Sequence, residues 1–99
     1  MLFGVTYEPR PGGGEQRQER ALQAYNEWTP PESVTFHAHY VRADGNGGIA
    51  IADAETAGAV AEATATFSPF FEFEVFPVVE VDEAISIIKR AMEQREALR

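Results

Sequence analysis

Two hydrophobic periods run along this chain in a fixed order. In "LFGVTYE", Phe3, Val5 and Tyr7 alternate with Gly4, Thr6 and Glu8, the repeat of a half-buried strand. "PRPGGG" interrupts the alternation. "EQRQERALQAYNEW" then places Ala21, Leu22, Tyr25 and Trp28 on one helical stripe, which "TPPE" ends. "SVTFHAHYVRA" and "GIAIAD" flank the turn-forming "DGNG", as the two arms of a β-hairpin do. Asp53 is expected to cap a second helix that carries Ala57, Val60, Ala61 and Phe67 as far as Ser68 and Pro69. "FFEFEVFPVVEV" returns to strict alternation, with Pro77 as a place where a bulge would reverse the phase. Asp82 is expected to cap a last helix through Ile85, Ile88 and Met92, whose final turn holds Arg95 and Arg99 where the helix dipole favours cations.

The order is βαββαβ followed by an extra helix. Right-handed crossovers put both connecting helices on one side of the sheet, so the expected fold is α+β and ferredoxin-like: one domain over residues 1–99, a four-stranded antiparallel sheet in the order 4-1-3-2. Simple alternation sends Phe3, Val5, Tyr7, Phe36, Ala38, Tyr40, Ile49, Ile51, Phe71, Phe73 and Val75 under the helices. The other face then receives Leu2, Gly4, Thr6, Thr35, His37, His39, Val41, Ala50, Ala52, Phe70, Glu72, Glu74, Phe76 and Val78. That mixture is too apolar to be left in water and too polar for an ordinary core. The usual cover for such a face is a second copy, which makes the expected assembly a homodimeric α/β barrel. On this phase the central strands offer only small residues there, Gly4, Thr6, Ala50 and Ala52. Partner side chains fill the space above them, or it remains as a small-molecule cavity.

Composition removes whole classes of function. A net charge of −8, from 16 acidic and 8 basic residues, repels phosphate backbones and anionic lipid, so neither nucleic acid nor membrane is expected as a partner. The chain has no cysteine, and therefore no disulfide framework and no thiolate chemistry. "MLFGV" has no basic leader and no stretch approaches membrane-spanning length, which points to a cytoplasmic protein. No cofactor motif is present. "PGGGEQ" lacks the Lys and Ser/Thr of a phosphate loop and reads as a connector more readily than as an anion site.

The candidate chemistry lies in "TFHAHY". Residues two apart on a regular strand point the same way, so His37 and His39 are expected to act together or to idle together as a satisfied polar pair. One option is acid–base work. A His in a partly dry cavity moves protons near neutral pH, with Glu72 or Glu74 of the partner sheet to orient it and Tyr40 or Thr6 as a hydroxyl. Thr6, Tyr40, Ala50, Phe70 and Phe76 would line the binding space for an apolar, oxygenated substrate undergoing cyclisation, isomerisation or oxygenation. A second option is a metal held by His37 and His39, about 7 Å apart at the backbone. Glu72 and Glu74 lie on the opposite edge strand, roughly 14 Å away, and reach such an ion only from a partner copy. A third option is a dimeric ligand-binding or assembly domain with no turnover.

"MLFGVTY", the hairpin "ADGNGGIAIAD" and above all "FSPFFEFEVFPVVEVDEA", with Phe73, Glu74, Val75, Pro77 and the Glu83–Ala84 pair, resemble the small bacterial domain-of-unknown-function family 3303. The resemblance implies a dimeric α/β barrel. Strand two departs from the pattern, carrying "HAHY" where the family tends to have a Trp-His pair near its hairpin. Related barrels include cofactor-independent monooxygenases, polyketide cyclases, lactone isomerases and haem enzymes, so the resemblance implies a fold and carries no catalytic residue over to this chain.

Overall fold

The first alternating run forms β1 (Leu2–Pro9) and is followed by α1 (Gly14–Glu27), β2 (Val34–Val41), β3 (Gly48–Ala54), α2 (Ala57–Ala65), β4 (Phe71–Val78) and α3 (Val81–Ala97) in a computed structural model that describes residues 1–99. The strands make one antiparallel sheet in the order β2-β3-β1-β4. This is the βαββαβ ferredoxin-like fold with an additional C-terminal helix. The caps differ from expectation in two places. Asp53 is still within β3, and the Thr56 hydroxyl caps α2 by accepting the Ala59 N–H at 3.1 Å. Glu80, not Asp82, holds the N-cap position of α3, which leaves Asp82 and Glu83 in its first turn, where the dipole favours them.

The core lies between the sheet and α2. Phe3, Val5, Val34, Ala50, Ala52, Ala54, Val60 and Ala63 form it, with Trp28, Phe36, Ala59, Phe73 and Val75 packed at its margin. Phe67 is buried too, but in the turn after α2 and not on the helix. β3 therefore has the opposite phase to the one expected. Its alanines face the helices, while Ile49, Ile51 and Asp53 face the open side of the sheet. Close approach explains the choice. α2 has one Val and no larger apolar residue, and Ala52 and Val60 are both fully buried, so an isoleucine there would hold the helix off the sheet.

β1 and β4 keep the expected phase. Phe71, Phe73 and Val75 pair with Pro9, Tyr7 and Val5 on the helix side, while Glu72, Glu74, Phe76 and Val78 face away. Pairing continues in register through Pro77, so that proline introduces no bulge. Phe70 lies in the turn before β4 and is not on the sheet face.

β2 has a break that simple alternation does not contain. Phe36 pairs with Ala52 and Ala38 with Ile51, so His37 and Ala38 together oppose one residue. Beyond this bulge the phase is reversed. Ala38 and Tyr40 point to the open side with Ile51 and Ile49, and His39 joins Ala50 on the helix side. Val41, opposite Gly48, also falls on the helix side, past the end of the core.

Candidate functional site

The bulge separates the two histidines. His37 stays on the open face, with its Nε2 3.7 Å from Asp53 Oδ2. His39 faces the helices, where its Nε2 lies 2.6 Å from the Tyr7 hydroxyl. They cannot share a metal ion from opposite sides of a sheet, and no group of three or more His, Asp or Glu side chains in the chain could hold one. The expectation that they act as a pair is thus corrected by one extra residue in β2.

Tyr7 lies on the helix side, as alternation expects, but it is half-buried and its hydroxyl has a partner, which core packing alone does not call for. Its phenol starts on β1, crosses β3 and reaches His39 on β2. Gly48 is the β3 residue beneath it. A Cβ at that position would lie 2.5 Å from the Tyr7 oxygen and 2.4 Å from the Tyr40 carbonyl, so only glycine leaves room for the crossing. Aromatic rings surround the pair. Phe71 and Phe73 stand 5.1 and 5.7 Å from the Tyr7 ring between centroids, and Tyr25 of α1 stands 6.1 Å from the His39 ring. Tyr25 in turn leans towards Trp28 and Phe67, which ties α1 to the core.

The electrostatics favour a neutral phenol. Partial burial pushes the Tyr7 pKa above its ordinary value, and proximity to Tyr25 adds to the effect. A phenol that keeps its proton can donate to His39 Nε2, and in that arrangement the imidazole proton sits on Nδ1. α1 buries none of its residues, and His39 and Tyr25 are exposed, so the pair sits at the edge of an aromatic cluster that solvent reaches from the α1 side.

The remaining candidates divide between two places. Thr6, Glu72 and Glu74 come together on the open face with Glu8, Ile49 and Arg42, lining an open groove of about 420 Å³. Thr6 pairs with Glu74 and Glu8 with Glu72 across β1 and β4. Arg10 lies 3.5 Å from Glu72 and donates to the Ser68 carbonyl at 2.6 Å, which pins the end of this strand pair. The carboxylates of Glu72 and Glu74 therefore reach neither histidine of their own chain. Phe76 covers Gly4 on the same face, where a Cβ would lie 2.5 Å from its ring. Tyr40 is 69% exposed at the edge of this face, and Ala50, expected on a cavity floor, is core. With Ile49 and Ile51 in place of the alanines, the middle of the open face is apolar and carries no small-residue floor. At its far corner the Met1 amine and His37 both approach Asp53, whose pKa is lowered chiefly by the hydrogen bond from that amine. The glycine loop before α1 turns its carbonyls towards a cation. Arg17 donates to the carbonyls of Arg10, Pro11 and Gly12, an arrangement unlike an anion cradle.

No helix is long and apolar enough to cross a membrane, and no curated protein matches the chain. A family model described as Domain of unknown function (DUF3303) matches residues 1–92, and the chain belongs to that family.

Proposed function

We propose that this chain works as a homodimer joined through its open sheet face, and that each copy binds a small apolar, oxygenated molecule beside the Tyr7–His39 pair. The observation that carries the reading is the 2.6 Å hydrogen bond between Tyr7 and His39 inside a set of aromatic rings that solvent can reach. Such a pair can move a proton without building a charge on the phenol. A substrate hydroxyl donates to the Tyr7 oxygen while the Tyr7 proton passes to His39 Nε2, and the imidazolium returns it in the second half of the reaction. This suits isomerisation of an enol, where the proton is returned to carbon, or cyclisation through the hydroxyl oxygen, and needs no cofactor. The dimer is supported by Leu2, Ile49, Ile51, Phe76 and Val78, an apolar set that shares the open face, with Ile49 and Phe76 exposed and the other three half-buried.

The same open face favours a second reading, a dimeric assembly domain without turnover, and one experiment separates the two. Naphthol, an apolar ring with one hydroxyl, serves as probe in an NMR titration of the native protein. Saturable shifts centred on Tyr7, His39, Phe71 and Phe73, weakened about tenfold or more in Tyr7→Phe and His39→Gln, support the binding reading. Shifts confined to the open face, or none at millimolar probe, sink it and leave the assembly domain.

A further inference from the structure

We infer that α3 is a dimerisation strap whose apolar stripe packs on the second copy of this chain; the inference rests on the homodimer reading and extends it. The helix has the pattern of a buried element without the burial. Val81, Ile85, Ile88 and Met92 follow one another at spacings of four, three and four, with Ala84 and Ala91 beside them, which makes a continuous apolar face. Yet α3 buries none of its residues, and Val81, Ile88 and Met92 are 73%, 57% and 56% exposed. The chain is correspondingly long. Its radius of gyration is 17.5 Å and its extents are 59 × 29 × 20 Å, against about 13 Å expected for the radius of a compact domain of this length.

Area identifies the occupant. Four strands at about 4.8 Å spacing and about 25 Å in length give the open face a footprint on the order of 500 Å² per copy. A stable interface needs roughly 800 Å² per partner. A helix of this length, about 25 Å by 10 Å, adds on the order of 250 Å² and brings the interface close to that size. One chain thus carries two uncovered apolar surfaces, and the helix stripe extends the sheet face towards the size of a standard interface. A second copy is the one partner that supplies a matching need for both.

The test uses the full chain. In dimers mixed from carbon-13-labelled and unlabelled protein, isotope-filtered NOEs from the Ile85, Ile88 and Met92 methyls should cross to the other copy. Ile88→Glu should raise the dimer dissociation constant about tenfold or more while the sheet amides keep their native shifts, because α3 supports no core residue. A native dimer in which these methyls show contacts only within their own chain, or none, overturns the strap and leaves the sheet-face dimer standing. A native protein that stays monomeric at several hundred micromolar overturns both.

Discussion

Replacing Tyr7 by Phe tests the pair at the centre of the proposed site, because it removes one oxygen and leaves the ring among Phe71, Phe73 and His39. A neutral hydrogen bond contributes about 1 kcal/mol net. Here both partners keep some access to water: Tyr7 is half-buried and His39 exposed, so the orphaned imidazole nitrogen can be hydrated and incurs little of the penalty of an unsatisfied buried group. The expected loss is therefore about 0.5–1 kcal/mol, which for a domain of this size lowers the melting temperature by a few degrees, about 2–8 °C. The decisive readout is the imidazole itself. Nitrogen-15 shifts of His39 at mildly alkaline pH should show Nε2 accepting and Nδ1 protonated in the native protein, and a shift towards the mixed tautomers of a free imidazole in Tyr7→Phe. Gly48→Ala should have the same effect on His39 at a greater cost in stability, since the added methyl meets both the phenol and the Tyr40 carbonyl. If the His39 nitrogens are identical in the native protein and Tyr7→Phe, the hydrogen bond does not order this imidazole and the proton-transfer proposal loses its basis.

Three further outcomes are expected. Ala52→Lys should abolish folding while Ile51→Lys, one residue away, should leave a folded monomer by circular dichroism and light scattering; the reverse result would restore the phase that simple alternation assigns to β3. Val60→Ala removes two buried methyl groups beneath α2 and should cost roughly 2 kcal/mol in urea unfolding, and a loss under 0.5 kcal/mol would mean that α2 is not closely packed. The Tyr7 phenol should ionise above the ordinary tyrosine range, visible as a late step in near-ultraviolet phenolate absorbance that Tyr7→Phe removes. Because the folded-state pKa is the higher one, the unfolded chain loses this proton first as pH rises. Stability is then complete below about pH 10 and declines towards the folded pKa, so a stability profile that rises over that interval in the native protein relative to Tyr7→Phe would contradict the assignment.

Most of the architecture was legible because it depends on period and order alone. The strand and helix sequence, the hairpin at "DGNG" and the phase of β4 all follow from alternation and turn chemistry, and Glu72 and Glu74 lie where a two-residue repeat must put them. β3 escaped for a different reason. "GIAIAD" alternates cleanly, but alternation specifies two faces without saying which is buried, and the habit of sending the larger residue inwards fails when the helix above is made of alanine. The composition of α2, "AGAVAEATA", was the available signal: a helix with one Val and no larger apolar residue needs a flat, small-residue floor, and only the alanine side of β3 provides one.

The site was lost at a single residue. A bulge has no strong signature of its own in sequence: a regular strand puts His37 and His39 on one face and Phe36 and Tyr40 on the other, the bulged strand gives each face one histidine and one aromatic, and "TFHAHY" by itself permits either. What decides between them lies on other strands. Tyr7 crosses the sheet over Gly48, and its hydroxyl needs a partner on the far side. A regular β2 would present Tyr40 in that region, a second large ring where the space is already filled. The bulged strand presents His39, which is smaller and can accept the proton, and moves Tyr40 out beside Ile49 on the open face. The conformation of β2 is thus fixed by a contact from β1 through a gap in β3, three segments widely separated along the chain. Reading the strand alone yields a matched pair of histidines on one face. Reading it against Tyr7 and Gly48 yields one histidine for each face, with His37 left to Asp53 in the proposed dimer interface and His39 to the phenol.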